Sequence, residues 1–153
     1  MSENPSPVIV PPGSGRRLCA FGDEVVIHLG GAETGGKYTL FTDTTAPGGG
    51  PPPHYHTQED ETFYVLSGQV SYFANGQWQP PVGPGTVTFA PKGSRHAFKN
   101  TGTVPLVQLI STAPAGFETF FARCAAEFAA PGGPSMERII AIGAEHGIHF
   151  PQV

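Results

Sequence analysis

Charged side chains are scarce in this chain and make up only 13% of its 153 residues. Lysine and arginine number eight against twelve aspartates and glutamates, which gives a net charge of −4 at pH 7. Nucleic acids and anionic membranes are bound by basic surfaces, and this chain does not have the composition to build one. We therefore expect neither a nucleic-acid partner nor a membrane partner.

Long apolar runs and cysteines are also few. No apolar run approaches the length of a membrane span, and the first residues lack the charged start and apolar core of a signal peptide. The expected location is therefore the cytoplasm. The two cysteines, Cys19 and Cys124, are far apart in the sequence. In a cytoplasmic protein this favours buried thiols over a disulfide.

Glycine and proline are abundant, with 21 and 17 residues. They fall between short apolar, β-branched runs, where they mark turns, so the pattern favours an all-β domain with closed edges. The Asn75-Gly76 pair is a strong hairpin signal within this pattern. The clearest expected strands are residues 17–21, 24–29, 37–45, 61–67, 70–73, 86–90 and 106–112.

The hydrophobic period changes towards the C-terminus. Apolar residues recur at helical spacing from Phe117 to Phe128, which predicts an amphipathic helix. Ser135 can cap a second helix that runs from Met136 to about Glu145. Its predicted inner face consists of Met136, Ile139, Ile140 and Gly143. The expected organisation is a flexible N-terminal arm (1–15), a barrel (16–113) and a C-terminal helical segment packed on the barrel (114–153).

Candidate metal ligands cluster in residues 48–68. His54 and His56 are separated by one residue, so in a strand both imidazoles point to the same face. Glu61 can add an oxygen from the next strand, and His96 is a further candidate. Two imidazoles and a carboxylate suit a divalent transition metal. Glu59 and Asp60 are rival carboxylates that we rank lower, because consecutive acids at the start of a strand are usually solvated.

Two runs of the sequence resemble the two motifs of the cupin superfamily. The first motif, G-x5-H-x-H-x4-E-x6-G, is filled at Gly48, His54, His56, Glu61 and Gly68. The second, G-x5-P-x-G-x2-H-x3-N, is filled at Gly85, Pro91, Gly93, His96 and Asn100. The resemblance implies a single-domain cupin jelly-roll β-barrel (double-stranded β-helix) with two short C-terminal helices. It also implies one divalent transition metal per chain (Fe, Mn, Ni, Co, Cu or Zn), with the ligands His54, His56, Glu61 and His96.

Among cupins, the chain is most similar to the small quercetin-dioxygenase-like proteins. The shared runs are PPPH, DETFYVLSG, HAFKN and AGFETFF. This resemblance implies a metal-dependent dioxygenase that acts with O2 on a small phenolic or enolic substrate, with Glu61 as ligand and base. Burial near apolar groups is expected to raise the pKa of this carboxylate. Two alternatives stay open, because fold and metal do not fix the reaction. One is a non-redox metal-dependent isomerase, cyclase or lyase of a small-molecule pathway, and the other is a cupin that binds a small ligand without turnover.

Four phenylalanines lie in predicted strands near the ligands. Each can fill the barrel core or line an apolar substrate pocket beside the metal. They are Phe63, Phe73, Phe89 and Phe98. The family commonly forms homodimers through barrel edge strands, so the resemblance also implies a homodimer, with residues 8–10 as a candidate swapped strand.

Overall fold

A computed structural model describes residues 4–151 of the protein. In that part of the chain it contains eleven β-strands and three α-helices. The strands are β1 (Arg16–Ala20), β2 (Asp23–Leu29), β3 (Thr39–Thr45), β4 (Tyr55–His56), β5 (Asp60–Ser67), β6 (Val70–Ala74), β7 (Gln77–Trp78), β8 (Val87–Ala90), β9 (Ala97–Asn100), β10 (Leu106–Ala113) and β11 (Ile148–His149). The helices are α1 (Gly31–Thr34), α2 (Phe117–Ala129) and α3 (Met136–Glu145).

The strands form two main antiparallel sheets. The larger sheet has six strands in the order β1-β2-β3-β10-β5-β8, and the smaller has three in the order β7-β6-β9. Their inner faces touch, because the ring of Phe63 on β5 lies 5.6 Å from that of Tyr72 and 6.0 Å from that of Phe98, between ring centres. The architecture is a jelly-roll barrel, as expected from the sequence.

Alternation along the strands builds the interior in layers. On β3, residues Thr39, Phe41, Asp43 and Thr45 are buried, while the residues between them are partly exposed. Phe41 faces Ile110 of β10, which in turn faces Phe63 of β5. The next layer towards the end of β3 contains Asp43, which faces Gln108 of β10. Polar side chains therefore follow directly on an aromatic layer inside the barrel.

Two turns require residues that tolerate a positive φ angle. Asn75 and Gly76 have φ angles of 55° and 80°, so the predicted hairpin between β6 and β7 is present with left-handed residues at both turn positions. Gly50 has a φ of +140°, and a Cβ placed on it would lie 2.0 Å from the carbonyl oxygen of Phe98. A glycine is therefore required where residues 48–53 pass β9 on the way to the first histidine.

The helices close one side of the barrel. Helix α2 buries Phe120, Phe121 and Cys124, in agreement with the predicted aromatic stripe. Helix α3 begins after Ser135, whose Oγ accepts a hydrogen bond from the backbone N of Arg138, as predicted. None of the helices in residues 4–151 is long and apolar enough to span a bilayer.

Several local predictions need correction. Helix α3 buries Ile139, Ile142 and Gly143, whereas Met136 and Ile140 are 58% and 55% exposed, because the helix packs on its neighbours through a different side. Cys19 is exposed rather than buried, since β1 is the edge strand of the large sheet. No element was predicted for residues 31–34, where the structure has helix α1. Residues 8–10 form no strand here, and their pairing with a second copy of the chain stays a prediction.

Candidate metal centre

The two histidine-bearing segments are joined directly by backbone pairing. The backbone N of His54 donates to the carbonyl O of His96, and the N of His96 donates to the O of His54, both at 2.9 Å. His56 lies on β4, which pairs with β11 so that Ile148 faces His56. The first segment is therefore fixed on one side by the second motif and on the other by a strand near the C-terminus.

The side chains of His54, His56, Glu61 and His96 converge. One potential ligand atom from each of the four lies within 4.8 Å of every other, and all four residues are buried. Oε2 of Glu61 is 2.9 Å from Nε2 of His96 and 3.4 Å from Nε2 of His56. Three imidazoles therefore surround one carboxylate inside the barrel.

The outer nitrogen of each imidazole has its own acceptor. Nδ1 of His54 lies 2.9 Å from the carbonyl O of Pro52, and Nδ1 of His96 lies 3.0 Å from that of Ser94. Nδ1 of His56 lies 3.1 Å from Oε2 of Glu59. Carbonyl and carboxylate oxygens only accept, so each Nδ1 carries a proton. Nε2 is then the nitrogen left to bind a metal, and the proton that Nε2 of His96 shares with Oε2 of Glu61 at 2.9 Å must leave for it to do so.

The local electrostatics favour the metal-binding protonation states of His54 and Glu61, whereas for His56 burial is outweighed by the carboxylates of Glu61 and Glu59, which raise the pKa. Burial, assisted by the charge of His96, lowers the pKa of His54 to about 4, so this ring is neutral at pH 7. Burial alone would raise the pKa of Glu61, but His56 and His96 outweigh it and lower the pKa below its usual range. Glu61 is therefore ionised at neutral pH. The expectation of a raised pKa for this carboxylate is wrong, because His56 and His96 stabilise its charged form.

The residues present fit a divalent cation. Three ring nitrogens and one carboxylate oxygen face each other at short range, and a positive charge between them, a proton or a metal ion, stabilises the arrangement. Nitrogen and oxygen donors of this kind suit Fe, Mn, Ni, Co, Cu and Zn. Four protein ligands leave one or two positions open in a five- or six-coordinate shell, as in sites that bind substrate.

Three residues of the cluster, His54, His56 and Glu61, line an apolar cavity of about 220 Å³. Eight of the eleven phenylalanines in the sequence line the cavity. The phenylalanines are Phe21, Phe41, Phe63, Phe98, Phe117, Phe120, Phe121 and Phe150. The polar lining comes from His54, His56, Glu61, Asp23 and Asp43, and no lysine or arginine occurs among the described lining residues.

Comparison with known proteins agrees with this architecture. A family model described as a cupin domain matches residues 41–111, a range that carries both histidine motifs. The chain belongs to the cupin superfamily. A quercetin 2,3-dioxygenase from Bacillus subtilis (strain 168) is 28% identical to this cupin over 117 residues, 75% of the chain and 34% of that protein. An oxalate-binding protein from Thermotoga maritima is 35% identical over 60 residues, 39% of the chain and 49% of that protein.

The cupin thus spans about a third and about half of the length of these two curated relatives. Among solved structures, the polyketide cyclase RemF from Streptomyces resistomycificus has a TM-score of 0.60 at 23% identity, with 71% of this chain and 80% of that chain covered. At this identity the likeness shows the shared fold.

Of the four phenylalanines that we expected beside the metal, two line the cavity and two lie outside it. Phe63 and Phe98 line the cavity of the cupin. Phe89 lies outside it and is 59% exposed, because β8 turns this side chain to the outer face of the sheet. Phe73 also lies outside, where its ring packs against Trp78 in the hairpin.

Sequence reasoning missed three acidic residues of the cupin interior. Glu59 was expected in solvent, but it is buried and accepts a hydrogen bond from His56, a contact that the spacing of three residues could have suggested. Asp23 and Asp43 line the cavity. Asp60, the other rival carboxylate, accepts from the backbone N of Lys92 at 2.9 Å.

Proposed function

We propose that this cupin is a metal-dependent dioxygenase that acts on a small phenolic or enolic substrate. The observation that carries the proposal is the convergence of three imidazoles and one carboxylate, of which His54, His56 and Glu61 lie in the wall of a cavity lined mostly by apolar side chains. Such a cavity binds a flat apolar ring, while the cluster binds the polar atom that reacts. The partial similarity to a quercetin 2,3-dioxygenase supports the same class of reaction.

One divalent transition metal per chain would be held by His54, His56, Glu61 and His96. A redox-active ion there would supply electron exchange between the substrate and O2, whereas Zn²⁺ would supply Lewis acidity alone. The hydrogen bonds from the three Nδ1 atoms fix the ring orientations before any ion binds. This preorganisation keeps the ligand atoms in place without rearrangement of the barrel.

Glu61 is the residue that we assign to proton transfer. Its carboxylate is ionised at neutral pH and lies in the cavity wall, where it can accept the proton of a substrate hydroxyl. The hydroxyl oxygen then keeps the electron pair of the broken O–H bond, and the substrate becomes the enolate or phenolate that reacts with O2. His56 and His96, on either side of Oε2, hold the carboxylate in position for this step.

The size of the cavity limits the substrate. A protein cavity of about 150 Å³ holds benzene. At about 220 Å³, this cavity has room for one substituted ring, so a three-ring flavonol would extend beyond it. The phenylalanine lining also excludes water, which would otherwise compete with substrate and O2. We therefore favour a substituted phenol or a comparable enol over a full flavonol.

Two other functions are tested alongside. A non-redox cyclase or isomerase with Zn²⁺ would use the same four ligands. We retain this alternative because a polyketide cyclase has the same fold. A binding function for oxalate is disfavoured, because the lining adds the carboxylates of Asp23 and Asp43 and no basic side chain among the described residues.

We further propose that the cupin is a cytoplasmic homodimer.

The first experiment measures metal content by mass spectrometry in protein purified without a histidine tag. We compare wild type with His56→Ala, and use His28→Ala as the control, because Nε2 of His28 contacts Thr42 outside the cluster. We expect about one transition metal ion per chain in wild type and control, and loss of the ion in His56→Ala. Equal metal content in all three proteins would disprove the site.

Oxygen uptake then separates the reaction classes. With the metal-loaded protein, we expect oxygen consumption in the presence of substituted catechols or small enols, and none after chelation. Substrate conversion without oxygen uptake would assign the non-redox function. Tight binding without any conversion would assign the binding function.

A further inference from the structure

Asp23 and Asp43 are carboxylates in the cavity wall that the proposed metal site does not use. They lie on neighbouring strands, β2 and β3, with Asp23 facing Thr45 and Asp43 facing Val25. Asp23 is 9% exposed and Asp43 is 6% exposed, and both line the same cavity as the ligand cluster. Burying two carboxyl groups in an apolar cavity is costly unless they have partners.

The hydrogen bonds around this pair are incomplete. The hydroxyl of Thr45 donates to Oδ1 of Asp43 at 3.2 Å. Oδ1 of Asp23 is buried and has no partner within residues 4–151. Nε2 of Gln108, which faces Asp43 across β3 and β10, is likewise buried and unpartnered there, although its Oε1 accepts from Tyr72. One acceptor and one donor are therefore unused in the same region of the barrel, which natural proteins rarely leave without a ligand or a water molecule.

The strand register places this pair at the opposite end of the cavity from the metal cluster. Glu61 faces Thr112 of β10, and Thr112 faces Thr39 of β3. Asp43 lies four residues beyond Thr39 on the same strand, about 13 Å along its axis. The side chains at both ends reach into this gap, and the phenylalanine layer of Phe41 and Phe63 lies between them. The cavity thus has a polar group at each end and an apolar middle.

Both carboxyl groups keep their protons to higher pH than exposed carboxyl groups do. Burial raises the pKa of Asp23 to about 6. Burial, and then the charge of Asp23, raise the pKa of Asp43 well above its usual range. Two carboxyl groups of which one is protonated can together donate and accept hydrogen bonds, and the ionised one carries a negative charge.

We propose that Asp23 and Asp43 form a second binding site, which holds a hydroxyl group at the end of the substrate remote from the metal cluster. This inference rests on the proposed function and narrows its substrate class. The substrate is a single ring with a metal-binding phenol or enol at one end and a hydroxyl-bearing substituent at the other. A substrate with a carboxylate at that end is rejected, because it would meet a buried negative charge.

Three catechols test this assignment, since they share one metal-binding end and differ at the other. They are 2-(3,4-dihydroxyphenyl)ethanol, 4-propylcatechol and 3-(3,4-dihydroxyphenyl)propanoate, with hydroxyl, methyl and carboxylate ends. Their affinities are measured by calorimetry on the Zn²⁺-loaded protein without oxygen, so that no turnover occurs. The variants are Asp23→Asn/Asp43→Asn and the control Asp60→Asn, whose carboxylate lies outside the cavity. Zinc content is measured for each protein.

We expect wild type and Asp60→Asn to bind the hydroxyl probe about tenfold more tightly than the methyl probe, which leaves the polar groups unpaired. The carboxylate probe should bind at least as weakly as the methyl probe. In the double variant we expect the difference between the hydroxyl and carboxylate probes to fall to about threefold or less, with zinc content unchanged. If that variant does not fold, the order of affinities in wild type decides the question alone.

Two outcomes would overturn the inference, and they are distinguishable. Equal affinities for all three probes in wild type, with binding still dependent on zinc, would show that the pair does not contact the ligand while the proposed metal site stands. Absence of zinc-dependent binding for every probe would reject the proposed function and the second site with it.

Discussion

Nδ1 of His56 lies 3.1 Å from Oε2 of Glu59, and both side chains are almost wholly buried. The carboxylate fixes the tautomer of the imidazole and its orientation towards Glu61. Outer partners of this kind typically contribute 10- to 100-fold to metal affinity. Glu59 is therefore important to the candidate site, although it lies outside the four-residue cluster.

We predict that Glu59→Leu lowers metal affinity by about 10- to 100-fold, since the Nδ1 hydrogen of His56 loses its acceptor. Glu59→Gln keeps an acceptor oxygen, so its loss should be smaller. The measurement is competition against a chelating dye, with Asp60→Asn as the control because the carboxylate of Asp60 accepts from the Lys92 backbone instead of from a cluster histidine. Unchanged affinity in Glu59→Leu would contradict the role of this contact.

The buried Asp23 carboxyl makes stability depend on pH. Burial raises its pKa from an ordinary value of 3.8 to about 6 in the folded protein. The unfolded state therefore releases this proton at lower pH than the folded state, and stability falls as pH rises between about 4 and 6. Asp23→Asn removes this dependence and should gain stability relative to wild type across that range, by on the order of 3 kcal/mol.

The measurement for Asp23→Asn is urea unfolding of metal-free protein from pH 4 to pH 8. The difference in unfolding free energy between variant and wild type cancels the cluster histidines, which titrate in both proteins, and reports Asp23 together with its effect on Asp43. A difference that stays constant over the whole range would show that Asp23 titrates normally.

Asn100 fills the last position of the second motif, and in the structure its side chain forms hydrogen bonds to three backbone groups. Its Nδ2 donates to the carbonyl oxygens of Thr45 and Val104, and its Oδ1 accepts from the N of Gly102, all at 2.9 Å. We predict that Asn100→Ala lowers the free energy of unfolding by about 2–4 kcal/mol, since buried groups lose their partners. Metal content should be unchanged, and the exposed Asn4→Ala should have no effect. Loss of metal from folded Asn100→Ala would contradict this structural role.

The outer face of β5 and β8 is the surface where we expect the homodimer to form. Strand β8 is an edge of the large sheet, and Phe89 and Val87 on it are 59% and 60% exposed beside Tyr64 and Leu66. An unpaired apolar edge readily pairs with a second copy. We predict that Phe89→Glu halves the mass measured by light scattering, whereas Val104→Glu, at an exposed loop position, leaves it unchanged. A monomeric wild type would reject the dimer.

The barrel and the convergence of the four candidate ligands were accessible from the sequence. Alternation along β3, β5 and β10 determines which side chains point inwards, and the spacing of His54, His56 and Glu61 follows from one strand and its neighbour. Such local periods survive folding because each strand buries a single face.

The residues that line the cavity could not be predicted from the sequence in the same way. A helical period shows that α3 has an apolar face, but it does not show what that face meets, so Met136 and Ile140 were assigned to the interior when they lie at the exposed border of the cavity. Phe150 reaches His54 only through the pairing of β11 with β4. The outward direction of Phe89 depends on the register between β5 and β8, which distant contacts determine.

The aromatic residues that line this cavity contribute little ultraviolet absorption or fluorescence. Its described lining contains phenylalanine but no tyrosine or tryptophan, and Trp78 is 46% exposed on the β6–β7 hairpin. Phenylalanine absorbs weakly and at shorter wavelengths than phenols do. A catechol that enters the cavity will therefore be seen in difference absorption through its own bands, and tryptophan emission will report on the hairpin instead of on the ligand.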